Sequence, residues 1–256
     1  MVKRRRQKKA RGRGRPLKIT KRLRIPKTLQ EEYLKNKGYQ KIAGLDEVGR
    51  GSWAGPIVAA CVILPQNKRL YSLRDSKLLN EKEREKLALK IKKNCRYGIG
   101  RAEVSEINQL GISASLDLAY SRAIKNLKVK ADFISERNTL FFRTGMQASF
   151  SEERDTVGFS PRSVILIDGL GWKQAPLPSI AIKGGDMTCA SIAAASIIAK
   201  VYRDNLMRRL SKKYPKWHFE KHKGYGTKLH RDLIKKYGIC AIHRINYKSI
   251  KPFCAK

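Results

Sequence analysis

From Gly38 onward the apolar residues fall into short runs bounded by glycine or proline, and segments 41–46, 57–64 and 97–102 read as strands. Segments 163–168 and 179–183 read as two more. Between them, 81–94 and 113–126 carry helical spacing. The strongest helix is expected over 186–210. Its first half, CASIAAASIIA from Cys189, is nearly all small or apolar, so it should approach a sheet closely and be buried on most sides. After Asn205 the composition turns basic (Arg208, Arg209, Lys212, Lys213), and a C-terminal helical lobe over 205–256 follows with Trp217, His222 and Tyr225. Strands early and helices later point to an α/β fold, a mixed sheet flanked by helices. No internal repeat is visible.

Two stretches break this pattern. Residues 136–162 lie between a helix and the strand at Ser163 and carry Phe141, Phe142, Phe150 and Phe159 among polar residues. A loop of that length is uncommon inside a compact domain and reads as an insertion. Residues 1–27 hold fourteen lysines and arginines and no acid, and such a segment cannot collapse against its own repulsion. Residues 1–36 are therefore assigned to a basic tail, disordered in the free state, and 37–256 to one folded domain.

Charge narrows the partners. Formal net charge is +36, and removing the fourteen positive charges of residues 1–27 still leaves +22 on residues 28–256. A field of this sign concentrates polyanions, so nucleic acid leads over an anionic membrane surface. Within the tail, Arg13-Gly14-Arg15-Pro16 has the form of an AT-hook core, although plain attraction to phosphates explains an arginine-rich tail as well. No run of about 18 apolar residues exists and the N-terminus lacks the apolar stretch of a signal peptide, so a soluble, cytoplasmic protein, with the nucleoid when on substrate, is expected. The five cysteines form no CxxC pair and read as reduced thiols.

Against so basic a background, four acids stand out: Asp46 and Glu47 in GLDEVGRG, Asp168 in VILIDG and Asp186 in IKGGD. Each lies beside glycine or at the edge of an apolar run, where strands should end. Magnesium and manganese take oxygen ligands, one or two carboxylates per ion, so acids from separate segments can hold two ions about 4 Å apart for in-line phosphoryl displacement. Regular strand geometry sends adjacent Asp46 and Glu47 to opposite faces, so both reach one site only if the strand ends or bulges there. Asp168 ends its strand, a usual ligand position in an open α/β sheet. Asp186 could equally be the N-cap of the helix that follows.

Together, GLDEVGRGSWAGPIVAACVIL, DSKLL, LIDG, KGGD with SIAAASIIAKVYRD, and HKGYGT strongly resemble the ribonuclease HII family, in the family's order, over roughly residues 41–253. The resemblance implies a ribonuclease H-like mixed β-sheet flanked by helices, with a C-terminal helical lobe. It implies an endonuclease that cleaves the RNA strand of RNA/DNA hybrids and single ribonucleotides in duplex DNA; a monomer is expected. Water would be the nucleophile, with Mg2+ or Mn2+ as cofactor and 5′-phosphate and 3′-hydroxyl ends as products. Asp46, Glu47, Asp168 and Asp186 would be the metal-binding catalytic carboxylates.

Gly49, Arg50 and Gly51 match the element whose backbone senses the ribose 2′-hydroxyl, the atom that distinguishes RNA from DNA. Tyr225 matches the tyrosine that packs on the sugar at the RNA to DNA junction. Ser76, Lys77, Arg203 and Lys223 are candidate phosphate contacts. His222 carries less weight, and His218, His230 and His243 show no metal-ligand spacing. A sliding clamp is an open partner without a clear motif. The chain departs from the family's pattern in its long tail, its 136–162 insertion and Gly111 in EINQLGIS; none of these removes a carboxylate. Two rivals compete: a ribonuclease HIII-like enzyme needing longer ribonucleotide stretches, and a non-catalytic basic nucleic-acid-binding protein.

Overall fold

The computed structural model describes residues 29–65, 79–127, 162–169 and 171–254. Ser76, Lys77, the tail through residue 28 and nearly all of 136–162 lie outside them. Five strands form one sheet in the order β3-β2-β1-β4-β5: β1 Lys41–Val48, β2 Ile57–Ile63, β3 Arg96–Ala102, β4 Ser163–Asp168 and β5 Ser179–Ile182. The β1, β2 and β3 strands run antiparallel, whereas β4 lies parallel to both β1 and β5. This is the mixed α/β sheet expected.

The period-2 alternation of β1 sorts its side chains onto two faces. Ala43 and Leu45 join Ile57, Ala59 and Cys61 of β2, and Ile165 and Ile167 of β4, under helix α3, Val104–Lys125. On the other face Val58, Ala60 and Val62 pack with helix α2, Glu81–Asn94, and with α5, Ala190–Lys213. Each fully buried aliphatic side chain contributes about 1.5–3 kcal/mol, so the two layers account for the fold. Gly44 shows how close α5 comes: a Cβ there would sit 2.1 Å from the backbone carbon of Ser191. The small residues of CASIAAASIIA permit that approach.

Local signals set the helix ends. Asn80 caps α2 through a reciprocal box with Glu83, the two side chains accepting each other's backbone N–H at 2.9 and 3.0 Å. Helix α3 begins earlier than its apolar spacing suggests and breaks at Gly111, where φ is 79°. The expected helix 186–210 is two pieces, α4 Gly185–Thr188 and α5, with Cys189 as N-cap of α5. Asp186 therefore does not cap the long helix.

One boundary is corrected. Residues 29–36, assigned from sequence to the tail, form helix α1, Leu29–Asn36. Leu34 packs with Ile42, Val164 and Ile192. Glu31 is buried, and its carboxylate accepts from the backbone N–H and hydroxyl of Ser191 at 2.9 and 2.8 Å. It satisfies an amide in the first turn of α5 and places negative charge at the positive end of that helix.

The C-terminal lobe holds α6, Phe219–His222, and α7, Lys228–Tyr237, with 3-10 turns at Pro215–Trp217 and Lys251–Phe253. It is tied to the loop after β1 by a backbone bridge between Ala54 and His243. Among the described residues no helix is long and apolar enough to cross a membrane.

Candidate active site

The parallel pairing of β1 with β4 brings the first two acids together. Leu45 pairs with Ile167, so the next residues, Asp46 and Asp168, lie side by side at the carboxyl ends of adjacent strands. The β1 strand stays regular to its end, with Asp46 opposite Ala60 and Glu47 opposite Ala59, so no bulge is needed. Asp46 shares the α5 face with Gly44 and takes a hydrogen bond from Ser196. Glu47 faces α3, where the Tyr120 hydroxyl donates to its Oε2 at 2.5 Å. Both carboxylates reach one cleft because it lies across the end of the sheet.

That cleft, about 440 Å³, is lined by Asp46, Glu47, Asp168 and Asp186, by Gly49, Arg50 and Gly51, by Arg84, Ser196 and Lys200, and by Tyr225. Asp186 arrives on α4, whose Gly185 amide donates to Asp168 Oδ1 at 2.7 Å. Asp46 is only 6% exposed. Burial, with Glu47 and Asp168 close by, raises its carboxyl well above the usual range; burial raises Glu47 too, opposed by the Tyr120 hydrogen bond and Arg50.

The loop after β1 is held from behind. Gly49, at φ 91°, has no room for a side chain: a Cβ would meet the Arg203 guanidinium at 2.2 Å. The Arg50 carbonyl accepts from Arg244 at 3.0 Å and from the Tyr247 hydroxyl at 2.6 Å. The Tyr225 ring lies 5.4 Å from the Arg203 guanidinium, within cation–π range.

One expected phosphate contact is corrected. Arg203 is fully buried, and its guanidinium donates to the carbonyls of Pro56, Lys223 and Ala54 at 3.0, 2.9 and 3.1 Å. Burial lowers its pKa to about 10, and it braces the two loops instead of meeting substrate. The Lys223 ammonium donates to the Glu220 carbonyl on its own loop. Among the described residues the cations lining the cleft are Arg50, Arg84 and Lys200; the last two pair with buried Asp204 at 3.8 and 2.8 Å. Sequence reasoning missed Arg84, Lys200, Ser196 and Tyr120. The i,i+4 spacing of Lys200 and Asp204 was the one available signal.

The donor set suits a hard divalent cation: four carboxylates, two of them raised by burial and mutual repulsion, share a basic-rimmed cleft. Among the described residues no three acidic, histidine or cysteine side chains are already closed around one point. The carboxylates instead hold hydrogen bonds to Tyr120, Ser196 and the Glu47 and Gly185 amides.

The ribonuclease HII family profile matches residues 43–150 and 171–250, which include Asp46, Glu47 and Asp186. Asp168 falls in the skipped stretch, and its place beside Asp46 rests on the β1–β4 pairing. A ribonuclease HII from Caldanaerobacter subterraneus subsp. tengcongensis is 40% identical, covering 85% of this chain and 78% of that protein. Among solved structures, the PCNA:RNase HII complex from Archaeoglobus fulgidus aligns with TM-score 0.59 and 25% identity, covering 81% of this chain and 95% of that one. Bst-RNase HIII in complex with Mn2+ aligns with TM-score 0.57 at 18% identity, covering 87% and 71% of the two chains, a likeness of fold.

Proposed function

The chain belongs to the ribonuclease HII family and is a ribonuclease H hydrolase, and from that premise we propose that it cuts RNA/DNA hybrids and duplex DNA bearing a single ribonucleotide. The products are 5′-phosphate and 3′-hydroxyl ends. The observation that carries this reading is one cleft joining four carboxylates to the Gly49–Arg50–Gly51 loop and Tyr225.

Asp46, Glu47, Asp168 and Asp186 would hold Mg2+ or Mn2+, and a pair of such ions supplies Lewis acidity to both the attacking and the leaving oxygen of an in-line displacement. The chain's own groups do the rest. Ser196 and Tyr120 orient Asp46 and Glu47. Gly49–Gly51 presents backbone to the ribose, with the Arg50 carbonyl fixed by Arg244 and Tyr247, so the 2′-hydroxyl meets a rigid edge. Tyr225, backed by Arg203, offers a flat face to the neighbouring sugar. Arg50, Arg84 and Lys200 offset the repulsion between phosphate and carboxylate. A sliding clamp is a further candidate partner, on the strength of the Archaeoglobus fulgidus complex alone.

The test is cleavage of a duplex bearing one ribonucleotide beside a long hybrid, with and without divalent cation. Both should be cut, and Asp168→Asn should lower the rate by about 10³-fold or more while duplex binding persists or tightens. Efficient cutting of long hybrids alone would favour a ribonuclease HIII-like specificity. No cutting by the wild type in Mg2+ or Mn2+ would leave a binding protein.

A further inference from the structure

The C-terminal lobe buries three histidines that the cleavage reading does not use. His222, His230 and His243 are all at most 7% exposed. The His222 and His230 rings stack with centroids 4.2 Å apart, and His230 Nε2 lies 3.1 Å from His243 Nε2. Each ring is in contact with Phe219.

Their partners favour one arrangement of the protons. His230 Nδ1 is 3.0 Å from the Tyr225 carbonyl, which can only accept, so Nδ1 carries hydrogen. In a neutral ring Nε2 is then an acceptor, and His243 Nε2 must donate to it. This leaves His243 Nδ1 as an acceptor: the Cys240 amide donates to it at 2.8 Å, and the Cys240 carbonyl, 3.2 Å from the same nitrogen, takes the backbone N–H of His243 at 2.9 Å instead. His222 follows the same logic: Nε2 donates to the Trp217 carbonyl at 2.8 Å, and Nδ1 accepts from the Gly224 amide at 3.2 Å. Every imidazole presents a lone pair to an N–H, so a second proton on any of them would set two donors head to head.

The surroundings favour the neutral forms. Burial lowers His230 to about 3 and His243 to about 4, and lowers His222 as well. The charged or titratable groups around them are Glu220, His218 and Lys223 beside His222, and Cys240 beside His243. Arg203 of α5 and Arg244 reach the carbonyls of Ala54 and Gly55, and Arg231 of α7 lies over the Trp53 ring, itself 5.7 Å from His230.

The network ends at both substrate-facing loops. It holds the Tyr225 carbonyl and the Gly224 amide; the Gly224 carbonyl accepts the Trp53 amide at 2.8 Å, two residues beyond Gly51. His243 is bridged to Ala54. Resting on the assignment of those loops to the ribonucleotide, we propose that His222, His230 and His243, as neutral imidazoles of fixed tautomer, are positioning residues that hold Tyr225 and the Gly49–Gly51 loop in one register.

Long-range 15N–1H spectra of the histidine rings of the full chain test the tautomers without substrate. The result expected at pH 7 is hydrogen on Nδ1 of His230 and on Nε2 of His222 and His243; a different tautomer or a doubly protonated ring overturns the proposal. Two variants test the positioning. In His230→Asn an amide N–H replaces the Nδ1 donor to Tyr225, whereas His230→Gln keeps an acceptor for His243 and leaves the Tyr225 carbonyl unpaired. On the single-ribonucleotide duplex, His230→Gln should raise KM by about tenfold with kcat within about threefold, and His230→Asn should stay within about threefold in both. Deuterium uptake at 49–54 and 223–227 should rise in the Gln variant and stay near wild type in the Asn variant. Equal KM and equal uptake in the two variants, or a fall in kcat with KM unchanged, overturns the proposal. If the wild type cuts no duplex, the substrate reading falls, and tautomers and uptake alone decide the network.

Discussion

At the scale of single residues, the site rests on acids whose charge the fold makes costly. Asp46 is buried beside two other carboxylates, and its carboxyl is raised accordingly. Glu47 takes its side-chain hydrogen bond from Tyr120, whose own ionisation is pushed upward by burial and by Glu47. Tyr120→Phe should therefore lower kcat/KM about tenfold with little change in fold, as steady-state cleavage and circular dichroism would show; an unchanged rate would mean that Glu47 needs no orienting partner. The four acids were legible in the sequence because each lies beside glycine or at the edge of an apolar run in a basic chain. Ser196 was not, because a serine within CASIAAASIIA looks like one more small packing residue. Arg203 misled for a related reason: charge suggests exposure, and only the carbonyls of Ala54, Pro56 and Lys223 around it explain its burial.

Elements were legible where periodicity is local. All five strands follow from runs bounded by glycine or proline, and α2 and most of α5 from their patterns. Helix α1 was hidden because its eight residues follow a charge block and are stabilised by a distant partner, the α5 terminus at Ser191. The first part of α3 was hidden because Gly111 interrupts its spacing. The contact that matters most for the site is α5 on β1, since it sets Ser196 against Asp46. Gly44→Ala would drive a methyl group into the Ser191 backbone. Urea unfolding should show a loss of about 2 kcal/mol or more, with reduced activity in whatever remains folded; a loss below about 0.5 kcal/mol would mean that α5 can shift freely.

Over the whole molecule, a strongly positive chain carries an acidic cleft and, in its C-terminal lobe, three buried histidines. The histidines predict a pH dependence of stability. With folded pKa values of about 3 for His230 and about 4 for His243, against about 6.5 unfolded, the unfolded chain binds more protons across that window. Their contribution is complete above about pH 6.5 and is lost as pH falls, at about 1.4 kcal/mol per pH unit per imidazole. The raised carboxyls of Asp46 and Glu47 act in the opposite sense, so comparison with His230→Asn isolates the effect. Unfolding free energies from pH 6.5 to 4.5 should fall less steeply in the variant; parallel slopes would mean that His230 is charged in the folded state.

Separate stretches of chain bring four carboxylates to one cleft, and the proposed cleavage needs them to hold divalent ions there. Thermal unfolding of the full chain with increasing Mn2+, for the wild type and Asp46→Asn, tests it without substrate. The wild-type Tm should climb with Mn2+, while that of Asp46→Asn, equal or higher without metal because a buried charge is gone, should stay level. An equal climb in both would contradict the account.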